Sequence, residues 1–215
     1  MDSLTLAVLI SGRGSNLQSL IDACADPEFP ARVVLVLSNE PDAKGLERAA
    51  AAGIANRVIA HRDYESKEAM GDALSRAIID SGADLVCLAG FMRMLSHGFV
   101  DQWRDRLVNI HPSLLPAFPG LHAHEQALEA GVRVTGCTVH FVREGMDSGP
   151  IIAQAAVPVH AGDTAESLAD RVLTAEHRVY PLAVRLIAEG RVTVTGDTAR
   201  VDGGKTPETV LLNPT

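Results

Sequence analysis

The sequence predicts an α/β fold: a mostly parallel sheet with helices on both faces, passing into a mixed sheet in its second half. Three observations predict it. Short apolar runs alternate with helical patterns through the first half of the chain, the mark of parallel strands joined by crossover helices. A glycine-rich segment, Ser11 to Asn16, stands between the first run and the first helix. Further on, two strand-like runs at 132–142 and 151–157 follow one another as neighbours, so the sheet becomes mixed.

Taken in order, residues 4–10 form the first strand and residues 16–25 a helix for which Ser15 or Asn16 is the expected cap. Residues 33–37 read as the second strand, and 45–52 as an alanine-rich helix that Gly53 ends. A short third strand near 58–60 leads into a helix over 66–80, stopped by Gly82. Residues 83–89 are almost continuously apolar, a strand of the buried type. A short helix at 96–103 precedes a strand at 107–110 that delivers Asn109 and His111. With Pro112, Pro116, Pro119 and Gly120, residues 111–121 cannot be regular helix or central strand and are expected as an ordered loop. Residues 132–142 alternate Val134, Gly136, Thr138 and His140 against Thr135, Cys137, Val139 and Phe141, which suits a half-buried strand. From Thr164 a helical pattern runs to Glu189, with Pro181 kinking or restarting it. Residues 191–194 and 199–201 around Thr195-Gly196-Asp197 look like a hairpin, with an extended tail after Gly204. There is no internal repeat and no linker composition, so 1–190 read as one domain and 191–215 as a C-terminal hairpin and tail. In such Rossmann-like sheets ligands bind at the carboxyl ends of the strands.

Composition narrows the function. A chain of 215 residues with 47% hydrophobic residues can bury a full core. A net charge of -8, with Lys and Arg nowhere in a run, argues against nucleic-acid or anionic-membrane partners, so any phosphate must be met locally. The N-terminus has no basic stretch, and the run at 4–10 is too short for a signal core or a membrane span, so the chain reads as cytoplasmic. Cys24, Cys87 and Cys137 are odd in number and form no C-x-x-C pair, which suits buried thiols rather than disulfides or zinc.

The chemistry concentrates in Asn109-Ile110-His111-Pro112-Ser113-Leu114-Leu115-Pro116 and in Asp147 of Gly145-Met146-Asp147-Ser148-Gly149-Pro150. An amide, an imidazole and a carboxylate are the parts needed to move a carbonyl-level carbon between two nitrogens without a metal. Asn109 and His111 are two apart, so in a strand they point to one face. In the loop Ser11-Gly12-Arg13-Gly14-Ser15-Asn16, glycines and a helix start together suit a phosphate. It is not a dinucleotide fingerprint, because Leu17 takes the third glycine position and Ser38-Asn39 precede Glu40 where the second strand ends. It is not a Walker loop either, and a monophosphate fits better than a pyrophosphate. Each motif alone has a blander reading as a tight turn or a backbone contact. His122-Ala123-His124-Glu125 invites a metal, yet no third ligand of suitable spacing follows, so no metal is expected and the segment reads as a structural loop. His122 is a candidate for supporting the site, His140 for orienting it or packing in the core, and His61, His97 and His160 read as surface residues.

Over nearly its whole length to about Glu189 the chain resembles the phosphoribosylglycinamide formyltransferases, folate-dependent enzymes of de novo purine biosynthesis. The residues that carry the resemblance are Ile10-Ser11-Gly12 with Gly14-Ser15-Asn16-Leu17, Ala89-Gly90-Phe91-Met92-Arg93, Asn109 to Pro116, Pro119-Gly120-Leu121-His122, Val139-His140-Phe141-Val142 through Asp147-Ser148-Gly149-Pro150, and Glu176-His177 before Tyr180-Pro181. The resemblance implies the formyltransferase fold and transfer of a formyl group from 10-formyltetrahydrofolate, as cosubstrate, to the amine of 5-phosphoribosyl glycinamide. By the same resemblance Gly12, Arg13, Gly14, Ser15 and Asn16 hold the ribotide phosphate and Glu176 its ribose or glycinamide end. Lys67, Met92, Arg93, Met94, Leu95, Asn109, Val142, Arg143 and Glu144 are the expected folate contacts, Lys67 standing where family members carry an Arg. Asn109 is expected to meet the oxyanion, and His111 to donate to that oxygen or to the departing folate nitrogen. Asp147 either accepts the amine's proton through a water or orients His111. Gly145 and Gly149 suit a mobile lid over folate. The competing readings are a formyltetrahydrofolate hydrolase and a non-catalytic sugar-phosphate sensor; a methionyl-tRNA formyltransferase would need a further basic domain. Assembly is expected as monomer or homodimer.

Overall fold

The apolar run Leu4–Ile10 forms strand β1, buried from Thr5 to Ile10, as a strand covered on both faces must be. The computed structural model describes residues 3–203 and Asn213. They fall into two compact units, the first running to Asn109 and taking in Phe141–Glu144, the second comprising Ile110–His140 and the described residues from Gly145 onward.

In the first unit β2 (Ala31–Ser38), β3 (Ala55–Val58), β4 (Leu85–Leu88) and the start of β5 (Leu107–His111) join β1 in the order β3-β2-β1-β4-β5. All four pairings are parallel, with Leu6 opposite Leu85 and Leu88 opposite Asn109. The helices between them are α1 (Ser15–Cys24), α2 (Gly45–Ala51), α3 (Lys67–Asp80) and α4 (His97–Gln102), with a 3-10 turn at His61–Asp63. Ser66 and Ser96 cap α3 and α4, accepting from Ala69 N at 3.1 Å and Phe99 N at 3.2 Å. On one face Ala7, Leu9, Leu35, Leu37, Val86 and Leu88 pack with Met70, Leu74 and Ile78 of α3 and with Phe99 and Trp103. Side-chain alternation sends Leu6, Val8 and Ile10 to the opposite face. There Ile10 Cδ1 lies 2.4 Å from where a Cβ on Gly45 would stand, so helix α2 meets the sheet through a residue that must be glycine. Helices on both faces of a parallel sheet are thus observed, as expected.

In the second unit β6 (Val134–Phe141) and β7 (Ile151–Pro158) pair antiparallel, Thr138 facing Gln154. This supplies the mixed character. Helix α6 (Ala165–Ala188) packs against β7 and α5 (Ala123–Glu129), and β8 (Val192–Thr195) and β9 (Thr198–Val201) form the expected hairpin around Gly196 and Asp197. Three expectations are corrected. The cap of α1 is Gly14, in left-handed conformation at φ 68, not Ser15 or Asn16. Residues 123–129 are a helix rather than a loop, launched by His122 at φ 61, a left-handed conformation uncommon outside glycine and one in which histidine is enriched. Helix α6 does not restart at Pro181 but continues through it, because Val179, Tyr180, Ala183 and Val184 around it are buried and tertiary packing outweighs the lost hydrogen bond. The tail expected after Gly204 lies outside the described residues except for Asn213, whose amide donates to the carbonyls of Arg133 and Val159.

Candidate active site

The glycine loop of the first unit is built from the end of β1 outward. Gly14 needs its positive φ, and a Cβ there would come within 2.6 Å of Gly45 Cα, so space and conformation both demand glycine. The loop carbonyls are engaged by donors: Gly45 N–H donates to Gly12 O at 3.0 Å and Arg48 Nε to Arg13 O at 2.9 Å. With those carbonyls neutralised, the start of α1, which has no side-chain cap, presents its positive dipole end to an anion. Asn16 is buried in this first turn, while Gly12 has open space around it.

Also in the first unit, Met92 and Met94 are 66% and 69% exposed, an unusual state for methionine, and Arg93 lies exposed between them. Leu95 and Val142 instead pack onto the core. Lys67 is exposed at the start of α3. Arg143 is buried, its guanidinium paired with Asp105 and donating to Val142 O at 3.1 Å. Glu144 pairs with His97. Asn109, on β5, is opposite Leu88.

In the second unit His111 is 4% exposed at the end of β5. Its Nδ1 lies 3.3 Å from Asp147 Oδ2, and its Nε2 is 2.9 Å from the carbonyl of Phe118. A carbonyl only accepts, so Nε2 carries the hydrogen of that contact, while Nδ1 faces a carboxylate oxygen. The same Asp147 oxygen accepts from Gly120 N–H at 2.6 Å. Asp147 itself is held at φ 47 and Phe118 at φ 54, sparsely populated conformations for non-glycine residues. The loop after His111, which includes a cis Leu115–Pro116 bond, is pinned from β6 and β7. Thr138 Oγ1 accepts from Leu115 N–H at 3.0 Å and donates to Ser113 O at 2.7 Å, and Gln154 Nε2 donates to Leu115 O at 3.0 Å.

Glu176 lies on the buried stripe of α6 formed by Leu168, Val172, Val179 and Ala183, a carboxylate where the helical spacing calls for an apolar side chain. Burial, and secondarily its charge, push the Cys137 thiol up to about 12. His140 is 1% exposed within β6. His122 is exposed and turned to Glu125 at 3.3 Å. His124, which the sequence placed in a structural loop, has its Nδ1 buried without a hydrogen-bond partner. Burial first, with a smaller contribution from His111, holds it below its ordinary value against the opposing pull of Glu125. Sequence reasoning missed the Phe118 carbonyl and Gly120 N–H, backbone groups that carry no side-chain signature. Among the described residues no cluster of three or more His, Cys, Asp or Glu is gathered as a metal site requires, and no helix is long and apolar enough to cross a membrane.

Residues 4–184 match the family described as formyl transferase. The phosphoribosylglycinamide formyltransferase of Escherichia coli (strain K12) is 48% identical over 204 residues, covering 95% of this chain and 96% of that one. The trifunctional purine biosynthetic protein adenosine-3 of Bos taurus is 52% identical over 196 residues, covering 91% of this chain but 19% of that protein, so the chain spans about a fifth of its length. Glycinamide ribonucleotide transformylase 1 from Symbiobacterium toebii superposes with a TM-score of 0.91 at 51% identity, covering 93% and 94% of the two chains.

Proposed function

The chain belongs to the formyl transferase family, and from that premise we propose that it moves the formyl group of 10-formyltetrahydrofolate onto the amine of 5-phosphoribosyl glycinamide in purine biosynthesis. The observation that carries the mechanism is the doubly held ring of His111, with Asp147 on Nδ1 and a carbonyl on Nε2. When it carries both hydrogens, that ring is a proton donor already aimed. The amine attacks the formyl carbon, a C–N bond forms, and the formyl oxygen becomes an oxyanion. Asn109, two residues before His111 and on the same face of β5, donates to that oxygen; His111 Nε2 exchanges the Phe118 carbonyl for it. The amine gives its surplus proton to Asp147, and His111 delivers one to the folate nitrogen as the old C–N bond breaks. The proton count closes once Asp147 gives up the proton it received and His111 regains the one it delivered, which returns the pair to its starting state. Asp147 thereby serves both roles left open by the sequence, orienting the ring while it receives charge.

Gly12, Arg13, Gly14, Ser15 and Asn16 hold the ribotide phosphate, and buried Glu176 accepts hydrogen bonds from the ribose or glycinamide end. Met92 and Met94 offer exposed apolar surface to the folate ring system with Leu95, Val142 and Asn109, while Lys67 and Arg93 supply positive charge for its carboxylates. Arg143 and Glu144 shape the adjacent segment through Asp105 and His97. His140, His122 and the Phe118 carbonyl support His111.

The deciding experiment is tetrahydrofolate release from 10-formyltetrahydrofolate by purified protein, with and without 5-phosphoribosyl glycinamide. Release that requires the ribotide is expected. Release without it would make water the acceptor and the chain a hydrolase, and no release in either condition would overturn the transferase reading.

A further inference from the structure

His61, expected as a surface histidine, is partly buried in the first unit and belongs to a closed circuit of polar contacts. Met92 N–H donates to Ser11 Oγ at 2.7 Å, and Ser11 Oγ donates to Asn39 Oδ1 at 2.5 Å. Asn39 Nδ2 donates to Glu40 Oε1 at 3.0 Å, and the same oxygen lies 3.4 Å from His61 Nδ1. His61 Nε2 meets the guanidinium of Arg93, which adjoins Met92 and closes the ring. A guanidinium cannot accept, so Nε2 presents its lone pair and the ring hydrogen sits on Nδ1, toward Glu40. Nδ1 makes no hydrogen bond, and the Glu40 carboxylate is the charged group that faces it. The tautomer that offers an acceptor to Arg93 thus turns the ring N–H toward Glu40, just beyond the end of β2.

We infer that His61 is a positioning residue: backed by Glu40, it holds the Arg93 guanidinium for the carboxylates of the folate tail. The inference rests on the assignment of Arg93 to folate. An exposed arginine on an irregular segment has several rotatable bonds to order before it can grip an anion. A partner that already fixes the guanidinium lowers that entropic cost, and the effect falls on binding rather than on chemistry. The circuit also ties the Met92–Arg93 segment to Ser11, the residue that opens the glycine loop.

The test measures steady-state kinetics with 10-formyltetrahydrofolate for His61→Ala, His61→Gln, Arg93→Ala and the double variant His61→Ala/Arg93→Ala. His61→Ala is expected to raise the folate KM about tenfold with kcat and the ribotide KM unchanged, because only ground-state binding is lost. His61→Gln, which keeps an acceptor for Arg93, restores the folate KM to within about threefold of the parent. The double variant is no worse than Arg93→Ala alone, since the two residues act in series. An unchanged folate KM in His61→Ala, alongside a raised one in Arg93→Ala, overturns the positioning role and leaves the folate assignment standing. An unchanged folate KM in Arg93→Ala overturns that assignment and the inference with it.

Discussion

His111 has both of its nitrogens engaged, Nδ1 beside Asp147 and Nε2 on the Phe118 carbonyl, and this arrangement governs what single substitutions do. Asp147→Asn keeps the shape but removes the carboxylate charge beside the His111 ring. We expect kcat to fall by roughly a hundred- to ten-thousand-fold with both KM values within a few-fold of the parent. Steady-state kinetics check this, and a loss confined to the folate KM would make Asp147 a binding residue instead. At Gly14 the constraint is steric: a valine would collide with Gly45 Cα and strain a backbone held at φ 68. Gly14→Val is expected to raise the ribotide KM selectively, and an equal rise for folate would place the phosphate elsewhere. Gly14 was legible in the sequence because residue type and its place after a strand announce it, whereas Asp147, in a turn-like Asp-Ser-Gly-Pro, was singled out mainly through the family resemblance. The Phe118 carbonyl was not legible, since any residue supplies one.

At the scale of elements, the loop that follows His111 owes its shape to strands distant in sequence. Thr138 serves Leu115 N–H and Ser113 O at once and takes a bond from Gln154. Thr138→Val would leave these buried groups unpaired at a cost of about 1–3 kcal/mol each at most. The expected outcome is a lower urea midpoint together with a lower kcat; a stability loss with kcat intact would mean that the loop does not position His111. The start of α6 shows a second device. Arg171 grips Asp163 with two bonds, and the His160 N–H and Ser167 hydroxyl join them, holding the Asp163 carboxyl far below its ordinary value of 3.8. A depressed folded value stabilises the fold above the unfolded value and loses that contribution as pH falls toward the folded one. Asp163→Asn should therefore lower Tm clearly at about pH 7 and progressively less below about pH 4. A Tm difference that persisted unchanged into strong acid would show that the contribution is not ionic. Strand and helix order could be read from periodicity, whereas α5 could not, because its start depends on His122 adopting a left-handed conformation.

At the scale of the whole molecule, charge gives a simple expectation. With a net charge of -8 and no basic run, the protein should not retard a DNA duplex at about 0.15 M salt, since no row of cations is there to release counterions. A salt-sensitive shift in an electrophoretic assay would contradict it. The chain's local patterns established the alternation of strands and helices and the glycine turn after β1, and offered Asn109, His111 and Asp147 as candidates that the family resemblance then favoured. These follow from local periodicity, backbone permissiveness and side-chain chemistry, which act over a few residues. Only the tertiary structure decided which partners those side chains meet: Asp147 with His111 across 36 positions of chain, a carboxylate at Glu176 inside an apolar stripe, and His61 between Glu40 and Arg93 rather than in solvent. Such pairings depend on how elements far apart in the chain pack together, and hydrogen bonds between them are worth making only once burial has removed the competing water.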